Sequence, residues 1–407
     1  MSSCNNKKFW IYGLAFVICG VVIYYLISIG NVKYQSENVE NPTETTETQV
    51  LGETTSVATD PAVGSNVNLS TIPVTHIATP EKVKAIYMSA WTAGSTKHRD
   101  PLLKIVDETE INAVVIDIKD STGRISFHVS DPELAKMGTS EKRIGDIRAL
   151  TALLHSKNIY IIGRISVFQD PYLTVKKPEW AITKKSDGTV WKDRKGLSFL
   201  DPANKEVWNY IKMIALDSYA LGFDEINFDY IRYPSDGNMK DINYRLLPGK
   251  TRADNIEAFF VYLSSEVKKE NNIPISADLF GLTTETLDDM GIGQVWEKAL
   301  PHFDFLAPMV YPSHYPSGYL GYKNPASYPY EVINKSIGSA IVRTKAQGES
   351  IAKIRPWLQD FDMGATYTKE LVRAQIKATN DNGIESWMLW DPSNKYTPEA
   401  FLVEKVQ

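Results

Sequence analysis

The chain has 407 residues, 43% of them hydrophobic, and a formal net charge of −5. That length carries a sizeable core in one large domain or two medium ones, and the charge implies no strongly basic face for nucleic acid. Both cysteines, Cys4 and Cys19, fall in the first twenty residues, which excludes a disulfide, a zinc cluster or a cysteine nucleophile in the rest.

Residues 1–8 read as a short cytoplasmic tail carrying Lys7 and Lys8. Phe9–Ile29 has no charged residue, and at about 1.5 Å per residue a helix there spans roughly 30 Å, the thickness of a hydrocarbon core. A single transmembrane anchor is expected, with the remainder of the chain extracellular. The rival is a cleaved signal peptide, which fits less well because the run is long and no small-x-small site closes it. Residues 30–80 are expected to be a flexible linker. From Tyr34 to Pro80 there are six acidic residues, no Lys or Arg, and no sustained apolar period.

Residues 81–407 alternate between strand-like and helix-like runs. The strand-like runs are Val83–Trp91, Ala113–Asp120, Tyr160–Phe168, Phe223–Pro234, Pro274–Phe280, Phe303–Pro312, Ile354–Phe361 and Gly383–Asp391. Between them lie helical stripes such as Ile147, Leu150 and Leu154, and Ile256, Phe259, Phe260 and Leu263. Leu402 with Val406 suggests a short final helix. Gly163, Gly222 and Gly383 sit near the expected junctions. Eight βα units predict a (β/α)8 TIM barrel. The rival, a doubly wound open sheet, lacks its Gly-x-Gly-x-x-Gly after the first strand, where Trp91-Thr-Ala-Gly-Ser-Thr stands.

In a barrel the C-terminal strand ends converge on one face, where such folds place their chemistry. The second run brings Asp117 and Lys119, two apart and therefore on one face, as a candidate ion pair. The third brings Arg164 and Ser166, the fourth Asn227 and Asp229, the fifth Asp278. The sixth brings Tyr311, the seventh Trp357 and Gln359, the eighth Trp387 and Trp390. Being three apart, Trp387 and Trp390 cannot share a face. The six histidines are scattered, so no metal motif and no cofactor is indicated.

Carboxylates among aromatics suit sugars, whose C–H faces lie on rings and whose hydroxyls pair with Asp, Asn, Gln and Arg. Asp229 and Asp278, on adjacent strands, are the candidate catalytic pair for a glycosidic bond. Asp229 is the expected ionised member, with Arg232 or another cation keeping it charged. Asp278 is the acid if its surroundings raise its pKa, and the roles can be reversed. Asp117, Lys119, Asn227, Arg232, Tyr311, Trp357, Gln359 and Trp390 are the candidate sugar-holding residues. The loops Gln169–Leu200 and Tyr311–Tyr330 add further aromatics. A sugar-binding or wall-scaffold barrel without turnover is the alternative, since no Glu stands at a C-terminal strand end.

The motifs Pro178-Glu-Trp-Ala, Leu200-Asp-Pro-Ala-Asn, Phe223-Asp-Glu-Ile-Asn-Phe-Asp-Tyr-Ile-Arg-Tyr-Pro, Ser276-Ala-Asp-Leu-Phe-Gly, Ala307-Pro-Met-Val-Tyr-Pro-Ser-His-Tyr and Pro356-Trp-Leu-Gln-Asp-Phe together resemble a glycosyl hydrolase domain family. The resemblance covers about Val83 to Gln407. It implies a TIM barrel and a bacterial extracytoplasmic domain that cleaves polysaccharide. Chitinase-like barrels offer a contrast. Asp224, Asn227 and Asp229 fall at their three Asp positions, but Ile231 stands where they carry the acid Glu.

Overall fold

A computed structural model describes residues 72–246 and 248–402. The expected anchor at 9–29, nearly all of the expected linker, and Val406 lie outside the described residues. Among the described residues no helix is long and apolar enough to cross a membrane.

Eight parallel strands close into a barrel: β1 (Lys84–Met88), β2 (Ala113–Lys119), β3 (Tyr160–Ser166), β4 (Glu225–Asp229), β5 (Ile275–Phe280), β6 (Phe305–Met309), β7 (Trp357–Gln359) and β8 (Trp387–Trp390). Each falls inside a run expected from the sequence. β1 pairs with both β2 and β8, which closes the ring and rules out the open sheet. Strands covered on both sides read as continuous apolar runs, and β2 (AVVIDIK) is buried at every position.

Strand alternation sorts these side chains into two cores. Ala85, Val115, Ile162, Ala307, Trp357 and Met388 fill the barrel interior. Ile86, Val114, Ile161, Phe228, Leu306 and Leu358 face the helices. Trp387 faces the helices and Trp390 the interior, as their spacing requires.

Three of the helices around the barrel begin at side-chain caps. α1 spans Thr96–Glu108. α2 (Ile147–Ser156) starts at Asp146, and α3 (Lys205–Ala220) at Asn204. α4 (Arg252–Leu263) has a full capping box between Thr251 and Asp254, which satisfies two otherwise orphaned donors. α5 is one turn, Trp296–Ala299, and α6 (Pro329–Ala346) and α7 (Lys369–Asp381) complete the ring. Leu402 is preceded by a 3-10 turn, Pro398–Ala400. Gly163 lies within β3 rather than at a junction. A Cβ there would stand 2.3 Å from Ile118 Cδ1 and 2.7 Å from Phe223 Cδ1, so only glycine lets the neighbouring side chains pack.

Residues 72–80, the end of the expected linker, lie across the N-terminal floor of the barrel. Asp224 is the clasp. Its Oδ1 accepts the Ile77 N–H at 2.7 Å, and its Oδ2 accepts the Ile161 N–H at 2.8 Å and lies 3.0 Å from His155 Nε2. Ile77 packs against the interior core, and His76 stacks on Tyr219 at 4.0 Å. A chain starting at residue 81 should therefore be about 2 kcal/mol less stable in urea than one starting at residue 72, from lost apolar burial and one bare acceptor. Equal midpoints and slopes would show that the segment contributes nothing.

Candidate active site

Near the C-terminal end of the barrel, one guanidinium organises three carboxylates. Arg164 points inward from β3, the strand between β2 and β4. Its Nη1 donates to Asp117 Oδ1 at 2.8 Å. Its Nε donates to Asp229 Oδ2 at 3.1 Å, and its Nη2 donates to the same oxygen. Asp278 Oδ2 lies 3.9 Å from Nε. Burial opposes the charge on Arg164, but Asp229 and then Asp117 outweigh it and hold its pKa well above the ordinary value.

Each carboxylate has a different environment. Asp229, the last residue of β4, also accepts the backbone N–H of Tyr230 at 2.6 Å through Oδ1. Tyr230 has φ +52, a left-handed conformation that costs a non-glycine residue energy and here accompanies that N–H's turn back onto the carboxylate. Asp278 Oδ1 accepts from Asn227 Nδ2 at 2.9 Å and Trp357 Nε1 at 2.8 Å. Burial, and then the negative charge of Asp229, push the Asp278 carboxyl up to about 8, against the pull of Arg164. Asp117 Oδ2 accepts the Tyr87 hydroxyl at 2.5 Å, and burial raises its pKa as well.

Aromatic rings wall the cluster. Tyr87 stacks on Trp390 at 3.9 Å, and Arg164 lies over the Trp390 ring at 5.1 Å. Trp357 meets Trp390 edge-on, and Tyr311 packs edge-on against Phe361 and His314. Burial and the nearby Asp278 and Asp229 hold the Tyr311 hydroxyl firmly protonated. The side chains of Asp229 and Asp278 are 8% and 2% exposed, so both carboxyl groups are nearly buried. A groove of about 530 Å³ against α7, lined by Arg373, Phe401 and Leu402, lies outside the barrel and holds none of these groups.

A family model described as "Putative glycosyl hydrolase domain" matches residues 85–396. The chain belongs to that family. The match runs from β1 to beyond β8, so the glycosyl hydrolase domain is the whole barrel. No curated protein matches the chain. Among solved structures, a hypothetical protein from Ruminiclostridium thermocellum is 34% identical over 47% of this chain and 96% of that one, with a TM-score of 0.43. The PgaB (BpsB) glycoside hydrolase domain from Bordetella bronchiseptica is 12% identical over 77% of this chain and 94% of that one, with a TM-score of 0.57. The α-galactosidase TtGalA from Thermus thermophilus is 14% identical over 82% of this chain and 62% of that one, with a TM-score of 0.48. The Bordetella domain shares the fold.

Within this glycosyl hydrolase domain, Asp117, Asp229, Asp278, Asn227, Trp357, Trp390 and Tyr311 meet in one region. Others do not fit their expected places. Lys119 does not pair with Asp117. The β2–β3 register shifts between those two residues, and Lys119 turns away to Asp170 Oδ2 at 3.0 Å and Ser166 O at 2.5 Å, fully buried. It cannot reach a sugar. Arg164, not Arg232, is the cation on Asp229. The Arg232 guanidinium lies over the Tyr230 and Phe280 rings.

Gln359 is fully buried and ties the loops together, accepting from Ser313 Oγ at 2.8 Å and donating to Phe361 O at 2.8 Å. Asn227 and Trp357 are also fully buried and donate to Asp278. Sequence reasoning missed a second layer below. Glu225 accepts from Arg355, from Ser276 Oγ at 2.6 Å and from Tyr160 at 3.1 Å. Its signal was present: Glu225 is two residues before Asn227, on the same inward face. Among the described residues no group of three or more His, Cys, Asp or Glu is placed to hold a metal ion.

Proposed function

We propose that this domain hydrolyses glycosidic bonds of a cell-envelope or environmental polysaccharide with two carboxyl groups, Asp229 and Asp278. The proposal keeps the anchored, extracellular placement expected from residues 9–29. The carrying observation is the difference in surroundings between the pair: Asp229 accepts hydrogen bonds from Arg164 and a backbone N–H, while Asp278 stays protonated near neutrality. Asp278 then gives its proton to the glycosidic oxygen as the bond to the anomeric carbon breaks. Asp229 supports that carbon from the other side.

The two Oδ2 atoms lie 3.1 Å and 3.9 Å from the same Arg164 nitrogen, so they stand no more than about 7 Å apart. That limit favours the retaining arrangement, where separations are about 5–5.5 Å and the ionised carboxylate attacks carbon. Asp229 would form a glycosyl ester. Water, giving its proton to the now ionised Asp278, would cleave it. The first experiment is to follow new reducing ends from a panel of bacterial and plant polysaccharides. No release from any glycan would reject the hydrolase.

An acid with a pKa near 8 predicts a basic limb. Activity should fall as pH rises through about 8, because only protonated Asp278 can donate. The same shift acts on stability. The folded pKa is raised above the unfolded value, so native stability should decline as pH climbs from about 4 toward 8. Asp278→Asn should flatten that decline. A basic limb below pH 6, or a variant with an unchanged stability profile, would remove Asp278 from this role.

A second reading draws on the burial of the pair. With so little of either carboxylate exposed, a sugar-binding scaffold without turnover also fits. It predicts glycan binding that is indifferent to Asp278→Asn and no release of reducing ends.

A further inference from the structure

Charge is unevenly spread, and the imbalance sits beside the proposed active site. The loops after β3 (169–200) and β4 (230–251) together hold eleven Lys and Arg against six Asp and Glu. They carry +5, so the remainder of the −5 chain carries −10. The two loops are built into one lobe. Thr183–Lys184 pairs antiparallel with Ile242–Asn243, and buried Trp191 donates from Nε1 to Asn238 O at 3.1 Å. The second loop leaves directly from Asp229.

Several of the cations are neutralised within the lobe or at its edge. Arg194 pairs with Asp236 at 3.3 Å, Lys184 with Asp187 at 3.5 Å and Arg245 with Asp201 at 2.7 Å. Lys185, Lys192, Lys240 and Lys250 are exposed and take part in no ion pair among the described residues.

We propose that this lobe binds the negative groups of an anionic glycan strand, so that the substrate is a polysaccharide carrying carboxylates or phosphodiesters. The inference rests on the reading that the neighbouring site takes a glycan. A positive surface beside a cleft concentrates an anionic chain there, and screening by salt weakens it. Nucleic acid has the same sign of charge. The glycan is favoured over it because the lobe rises from a barrel of a glycosyl hydrolase family, beside carboxyl groups suited to a glycosidic bond.

The test measures binding and not turnover. The full chain in detergent is titrated with polygalacturonate, glycerol-phosphate teichoic acid, neutral dextran and single-stranded DNA at 50 and 300 mM salt. A triple variant, Lys185→Glu/Lys192→Glu/Lys240→Glu, is compared with an equal charge change away from the lobe, Lys104→Glu/Lys335→Glu/Lys345→Glu. The proposal expects one of the two anionic glycans to bind, at least about tenfold more weakly in the lobe variant and at higher salt, with the control variant close to wild type. Whichever glycan binds names the charged group.

Equal loss in both variants, or no loss in either, overturns the proposal. So does DNA binding as tight as the glycan's and as sensitive to the lobe. No binding to either anionic glycan overturns it too. Cleavage of a neutral glycan with unchanged rate in the lobe variant would reject this inference while leaving the hydrolase standing. Anionic binding without cleavage would do the reverse.

Discussion

Asp229→Asn is expected to reduce turnover by at least about a thousandfold while leaving glycan binding within a few-fold of wild type. Asparagine keeps an oxygen for the Tyr230 N–H, and Arg164 keeps its bond to Asp117, so the fold should persist. The amide can neither attack carbon nor act as a strong base. It also removes the negative neighbour that helps raise Asp278, so the basic limb of any residual activity should move to lower pH. Reducing-end release and calorimetric binding, each read across pH 5–9, check both effects. Turnover equal to wild type would show that Asp229 is not part of the chemistry.

The largest stability effect is expected at Arg164. Arg164→Met leaves Asp117, Asp229 and Asp278 nearly buried around an apolar side chain. Breaking a buried ionic cluster from one side costs about 3–5 kcal/mol. The pH dependence gives the cause. Without the guanidinium, the folded pKa of Asp117, already raised by burial, should climb further, because the charge that opposes the rise is gone. Stability is then lost as pH rises from about 4, because ionisation favours the unfolded chain. The deficit in urea unfolding should be small near pH 4 and largest at pH 7–8. A deficit of equal size at every pH would point to lost packing rather than lost charge. Arg164→Lys, which keeps the charge but not the forked geometry, should fall between the two.

The barrel was legible because the strands are short apolar or alternating runs and several of the helices repeat at helical spacing. Asp229 and Asp278 were legible because each closes or nearly closes such a run on the inward side. What the sequence concealed was pairing between strands. Asp117 and Lys119 are two apart, which places them on one face only if the strand is regular. The register shift at that point sends the lysine to Asp170 instead. Arg164 stood out as a polar residue within a strand, yet its three partners come from β2, β4 and β5. The N-terminal floor segment was hidden for a related reason. Residues 72–80 have no apolar period, and they are held largely by Asp224, far along the chain.

That floor bears on orientation. Residues 72–80 cross the barrel at the end where the strands begin, and Leu402 is bonded there too, to Glu110 just ahead of β2. Both ends of the described chain thus leave from one side, and the carboxylates open toward the other. Anything joined directly at residue 72 or 402, whether a solid support or a fused partner, therefore starts from the side away from the carboxylates. A long polymer can therefore reach the carboxylate end of the barrel without passing either end of the described chain.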